Sequence, residues 1–139
     1  MGFELYLFCY EKGQPSGIPR DAVSGLFPVL PETSGPNLWR VYYDLENSCT
    51  VAVTPFRQDS TRIESLCVDR PCGDIRLFDS LNAILKMGSV ILVYPGLQSY
   101  LAASEDVCDD IPREMLDSMG SPRIVRAGRE ILKAIHEPG

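Results

Sequence analysis

Six acidic side chains lie within residues 104–119, where Arg113 is the one basic residue. Acids at this density can favour a helix N-terminus and pair with cations elsewhere in the fold. They can also form a negative surface that steers a basic partner. Residues 120–139 carry an excess of Arg and Lys, so charge is segregated along the chain. The acids are Glu105, Asp106, Asp109, Asp110, Glu114 and Asp117.

Aromatic side chains on two predicted strands form a second candidate surface. Tyr6, Phe8 and Tyr10 alternate along one face of the first predicted strand. Trp39, Tyr42 and Tyr43 lie in the next one. A sheet covered on one side would expose some of these rings, and exposed Tyr and Trp are typical anchors of protein interfaces. A sheet covered by helices on both sides would bury them as a second layer of core.

Cys72 is the candidate nucleophile. It precedes a predicted helix N-terminus and follows Arg70, and both features lower the pKa of a thiol. In the alternative interpretation Cys72 belongs to a loop, while Cys9 and Cys67 are apolar core residues. The five cysteines contain no CxxC pair and no secretory leader precedes them, which predicts free thiols in a reducing cytosol.

Other catalytic and metal-binding patterns are missing from the sequence. The single histidine, His136, lies near the C-terminus, which is a poor position for a catalytic triad. There is no GxGxxG, GxxxxGK[ST] or GxSxG motif, and no second cysteine pair or nearby histidine accompanies Cys67 and Cys72. The sequence therefore predicts no cofactor and no metal site, and it disfavours an enzyme.

Composition narrows the class of protein further. A chain of 139 residues predicts one domain, residues 1–139, with enough buried surface for a core. The net charge of −6 disfavours binding to a phosphate backbone. No apolar run approaches the ~20 residues of a membrane span. We expect a cytoplasmic protein that binds neither nucleic acid nor membrane.

A helix followed by a buried strand is the central predicted element. Asp74 can cap a helix that extends to Met87, with apolar residues at three- and four-residue spacing. Gly88 can end it in the left-handed conformation. The apolar run at residues 90–94 is typical of an interior strand covered from both sides.

Further strands and helices are predicted around this pair. Alternation predicts strands at residues 3–11 and 62–70, and residues 38–45 and 49–56 should form a hairpin. Residues 12–37 are rich in Gly and Pro, which permits one short helix near residues 20–27 and otherwise loop. Residues 99–103 can be a strand or a helix start. Later predictions are a helix from Pro112 to Met119, an edge strand at 123–126 and a helix at 128–137.

These patterns predict a single α+β domain with a mainly antiparallel sheet of about five or six strands. The helix at residues 74–87 and the C-terminal helices should pack on that sheet. For function, we expect a bacterial protein-binding module of the immunity type, which occludes a partner toxin or enzyme with a basic surface. Two alternatives remain: an enzyme that uses Cys72, with residues 13–36 as a lid, and a homo-oligomeric subunit, for example a dimer, whose aromatic sheet face is the contact.

Overall fold

One open sheet runs through the computed structural model, which describes residues 4–95 and 99–136. Phe3, Gly96 and the last residue of the predicted C-terminal helix, Glu137, lie outside the described residues. The strands are β1 (Glu4–Glu11), β2 (Gln14–Pro15), β3 (Ile18–Pro19), β4 (Leu38–Asp44), β5 (Asn47–Phe56), β6 (Asp59–Asp69), β7 (Val90–Val93), β8 (Leu101–Ala102) and β9 (Arg123–Ile124).

Four α-helices and two 3₁₀ segments accompany these strands in the described residues. The helices are α1 (Arg20–Ser24), α2 (Ile75–Leu85), α3 (Arg113–Met119) and α4 (Gly128–His136). The 3₁₀ segments are Pro31–Thr33 and Glu105–Asp109. The molecule is thus a single-domain α+β fold, as the sequence predicts.

The strand order is β4-β5-β6-β1-β7-β8-β9, with β2 paired to β1 and β3 paired to β6. Every pairing is antiparallel except β8 with β9, so the sheet is mixed and mostly antiparallel. The described residues form nine strands, more than the five or six predicted. The additional strands include β2 and β3, two-residue pairings within a segment whose Gly and Pro content predicts loop.

One face of the sheet forms the main core. On β1, Leu5, Leu7 and Cys9 are buried, and their neighbours on β6 and β7 continue the same layer. Helices α2 and α4 pack on this face and contribute Leu81, Ile131 and other buried apolar residues. Burial of each such side chain stabilises the fold by roughly 1.5–3 kcal/mol.

The start of α2 agrees with the sequence prediction, and its end does not. The Asp74 carboxylate accepts the backbone N–H of Arg76, which satisfies one of the free donors of the first turn. The last residue of the helix is Leu85, followed by Lys86 in a right-handed conformation. Gly88 does not adopt a positive φ, so the prediction of a left-handed stop there is wrong. The carbonyls of Ala83 and Ile84 instead accept the backbone N–H groups of the turn.

The Pro- and Gly-rich segment covers an edge of the sheet. Strand β4 is the outermost strand on one side, and residues 28–35 lie along its free edge. Leu30 donates its backbone N–H to Arg40, and Tyr42 donates to Pro28. These bonds occupy backbone groups that would otherwise be free to pair with another chain. The last part of the connection therefore protects the edge of the sheet.

The opposite face of the sheet is covered over part of its width. Residues 103–122 cross to this face, where a second apolar cluster contains Ile91, Tyr100, Ala102, Val107 and Ile111. The chain then returns to the first face as α4. We define the open face as the outward side chains that belong to neither apolar cluster. They include Leu38, Arg40, Tyr42, Thr50, Ala52, Cys67, Asp69, Glu4 and Tyr6.

Within the described residues, no helix is both long enough and apolar enough to cross a membrane.

The contact between α2 and α4 yields a test of the packing. A Cβ atom at Gly128 would lie 2.5 Å from the Asp79 backbone nitrogen and 2.6 Å from the carbonyl carbon of Phe78. Gly128→Ala should therefore push the two helices apart and lower the free energy of unfolding by about 3 kcal/mol, the upper range for overpacking. Urea denaturation measures this. Gly35→Ala is the matched control, since a Cβ there meets nothing within 4 Å, and equal stability of the two variants would contradict the packing.

Candidate protein-binding surface

The acidic segment forms a raised layer on the partly covered face, which we call the acidic ridge (residues 104–119). Its underside is apolar, because Val107 and Ile111 are buried and Met115 and Leu116 pack against the same cluster. This cluster contacts the outward rings of Phe8 and Tyr10 on β1. The ridge is therefore attached to the central strand of the sheet by apolar contacts.

Polar contacts fix the two ends of the ridge. The Ser104 hydroxyl accepts the backbone N–H of Asp106 at 3.1 Å and caps the 3₁₀ segment. At the other end, the Tyr100 hydroxyl donates to the Gly120 carbonyl at 2.7 Å. Gly120 has a φ of 74°, a conformation that favours glycine, and it ends α3. These two hydrogen bonds hold the backbone at both ends of the ridge, and the backbone positions the acidic side chains.

Five of the six ridge carboxylates are exposed, and none of the six forms a salt bridge with another described residue. The exposed acids are Glu105, Asp106, Asp109, Glu114 and Asp117. Within residues 4–95 and 99–136, the salt bridges join Arg76 to Asp44 and to Asp74. The interpretation in which these acids pair with the arginines of residues 120–139 is therefore not supported. The exposed ridge carboxylates therefore have no salt-bridge partner within the described residues.

Asp110 differs from the other ridge acids because its carboxylate accepts hydrogen bonds from two other parts of the chain. One oxygen accepts the Ser89 hydroxyl at 2.5 Å, and the other accepts the backbone N–H of Lys12 at 3.1 Å. The Asp110 carbonyl also accepts the N–H of Gly13 at 2.7 Å. Lys12 and Gly13 both have positive φ, so Asp110 stabilises a tight turn after β1. The Ser89 hydrogen bond holds the pKa of Asp110 below its usual 3.8.

The six predicted aromatic residues occupy three different environments. Trp39 is 5 % exposed and packs beside Phe27, with ring centroids 6.3 Å apart. Tyr43 is half-buried, and its hydroxyl lies 3.2 Å from Ser80 Oγ while the Arg76 guanidinium lies 5.4 Å from its ring centroid. Trp39 is therefore a core residue, which corrects the expectation of an exposed ring, whereas Tyr43 is partly exposed and packs beside α2.

Tyr10 and Phe8 lie against the ridge, and Tyr6 and Tyr42 remain on the open face. The Tyr6 and Phe8 rings are stacked, with centroids 6.2 Å apart and planes 5° from parallel. Tyr6 donates its hydroxyl proton to Glu4, which raises the pKa of Tyr6 to about 12. Tyr42 is 37 % exposed.

Strand register aligns the open face in rows. The apolar row runs Leu38, Ala52, Cys67, Tyr6 across four neighbouring strands. Beside it runs a polar row, Arg40, Thr50, Asp69, Glu4. Sequence alternation alone could not find these rows, because they depend on which strands pair and in what register.

A cleft of about 540 Å³ lies between the end of β1, the end of α2 and the ridge. Its lining combines cations, carboxylates and hydroxyls, including Arg62, Lys86, Asp106 and Ser104. Cys9 also lines it, but burial raises the pKa of that thiol to about 12, so it is a poor nucleophile at neutral pH. Among the described residues no group of three or more His, Cys, Asp or Glu side chains is placed to hold a metal ion.

Cys72 is outside the cleft lining and packs, partly exposed, against the main core. Cys49, a buried thiol, belongs to the same core. Burial raises the pKa of Cys49 to about 12. His136 lies at the exposed end of α4 and is not part of the cleft lining.

The chain matches no protein-family model, no curated protein and no solved structure. The assignment of a function therefore depends on the geometry of this surface.

Asp110 should be separable from the other ridge acids by its effect on stability. Asp110→Asn removes the charged acceptor of Ser89 and Lys12 and should lower the free energy of unfolding by about 1 kcal/mol, whereas Asp109→Asn, at an exposed position, should be near neutral. Since the pKa of Asp110 is lowered in the folded protein, its advantage is present above the unfolded pKa. The difference should disappear as the pH falls through the folded pKa. Thermal unfolding between neutral and acidic pH measures it, and a pH-independent difference would contradict this role.

Thiol labelling should divide the cysteines by burial. Cys9 and Cys49, with pKa values raised from 9.0 to about 12, carry roughly a thousandfold less thiolate than an ordinary cysteine and should resist maleimide at pH 7. Partly exposed Cys67, Cys72 and Cys108 should be the labelled positions. Mass spectrometry counts the adducts, and labelling in guanidinium, where all five thiols should react, is the control. Fast reaction of Cys72 alone well below pH 8 would favour the enzyme hypothesis instead.

Proposed function

We propose that this protein binds another protein with a basic surface, and that the acidic ridge is the contact. The observation that carries the proposal is the row of exposed carboxylates that no cation of the described residues pairs with. Such a concentrated charge attracts an oppositely charged partner over about 8–10 Å at physiological salt and raises its association rate.

The construction of the ridge favours a binding role. Its apolar underside and its fixed ends hold the acids in place before a partner arrives. A preordered surface loses less conformational entropy on association than a flexible loop does. The same surface would place carboxylates against the cations of a basic cleft, which suits an inhibitor that occludes an active site.

We assign the protein, on this basis, to the immunity type of inhibitor, acting in the bacterial cytoplasm on a toxin or enzyme. The support is the combination of small size, net charge of −6 and a rigid acidic surface. The alternative, an enzyme dependent on Cys72, has less support, because Cys72 packs against the core away from the cleft.

The test begins with affinity capture from the native cell, followed by purification of the captured partner. The variant Glu105→Lys, Asp109→Lys, Glu114→Lys reverses three exposed ridge charges and leaves Asp110 in its structural role. We expect about 100-fold weaker binding, at roughly 1 kcal/mol per charge, and a smaller dependence on salt. Calorimetric titration of the purified pair measures both.

The matched control reverses three exposed acids away from the ridge: Asp21→Lys, Glu32→Lys and Glu46→Lys. It changes the net charge by the same amount, so it separates the position of the charge from its total. Equal loss in both variants would mean that net charge alone acts, and no loss in the ridge variant would refute the ridge as the contact.

A further inference from the structure

The open face lies apart from the acidic ridge. Its side chains belong to neither apolar cluster, and at its outer edge Leu38 is 51 % exposed and Tyr42 is 37 % exposed. Residues 28–35 occupy the free edge of β4, so a second chain cannot add there as a further strand. Strand addition at this edge is therefore blocked.

The polar row makes this face complementary to itself. Arg40 lies at its β4 end, while Asp69 and Glu4 lie on β6 and β1. A two-fold axis parallel to the strands, passing between β5 and β6, brings β4 of one copy over β1 of the other. Arg40 of each copy then faces Glu4 of its partner, so opposite charges meet twice, while Asp69 of each copy faces Thr50 of the other.

The apolar row is matched by the same operation. Leu38 of one copy lies over Tyr6 of the other, and Ala52 lies over Cys67. Facing sheets pack about 10 Å apart with nearly aligned strands, which leaves room for these side chains to interdigitate. We propose that the open face is the contact of a symmetric homodimer in which Arg40 pairs with Glu4 of the second copy.

The area of the open face limits the affinity of this dimer. Four strands about 4.8 Å apart and two rows of side chains about 7 Å apart cover roughly 270 Å², about a third of what a stable partner contributes. The dimer should be weak and reversible, with a dissociation constant between about 10 µM and 1 mM.

Sedimentation velocity from about 10 µM to 1 mM tests the proposal on the intact chain. The weight-average sedimentation coefficient of the wild type should rise with concentration. Ala52→Arg places a charge at the centre of the apolar row, on the half-exposed side of β5, and should weaken association at least about tenfold. Circular dichroism establishes that the variant is folded.

A charge exchange tests the two-fold arrangement itself. Arg40→Glu and Glu4→Arg should each be monomeric alone, because like charges then meet, and an equimolar mixture should regain the dimer as a heterodimer. Glu32→Arg, on the covered edge of β4, is the control and should associate as the wild type does. A constant sedimentation coefficient of the wild type, unchanged association of Ala52→Arg, or a swapped pair that stays monomeric would each overturn the proposal.

The proposal does not rest on the function assigned to the ridge. The ridge variant Glu105→Lys, Asp109→Lys, Glu114→Lys should lose the basic partner and keep the concentration-dependent dimer, whereas Ala52→Arg should do the opposite. Loss of both properties in either variant would overturn the separation of the two surfaces.

Discussion

The alternation of side chains along β1 is the constraint on which the rest of the structure depends. This strand is hydrogen-bonded on both sides, to β6 and to β7, and its inward residues Leu5 and Leu7 are almost fully buried. A shift of one residue would exchange the two faces, which would place Tyr6 in the core and Leu5 outside. The register that buries the main core therefore also determines which side chains are available on the second face.

The path of the chain after β7 explains why this second face is only partly covered. Strand β8 is two residues long and pairs with β7, and β9 adds to it in parallel. Between them, residues 103–122 lie on the second face, held by Val107 and Ile111 over Ile91. The chain then crosses back to form α4 on the first face. This one segment covers the second face of β7 and part of that of β1, and it leaves the second face of β4, β5 and β6 uncovered.

The sequence predicts the helices and strands better than it predicts the tertiary environment of individual side chains. The cap at Asp74, the amphipathic α2 and the alternation of β1 are local patterns, and the structure confirms them. The environments of Trp39 and Tyr43 depend on the Phe27 ring and on α2, which are distant along the chain. The same limit applies to Asp110, whose partners Lys12 and Ser89 lie in other parts of the chain. Charge density locates the acidic segment but cannot distinguish its one structural carboxylate from the exposed ones.

The energetics of the ridge indicate that folding alone does not require its charges. Like charges one helical turn apart destabilise a helix by about 0.2–0.5 kcal/mol per pair, and no salt bridge of the described residues involves a ridge carboxylate. Burial of Val107 and Ile111 contributes roughly 1.5–3 kcal/mol each, which is more than enough to hold the segment on the sheet. Neutral polar residues on the exposed side would keep this anchoring and remove the repulsion. The apolar contacts of the underside therefore hold the segment on the sheet whatever the charge of its exposed side.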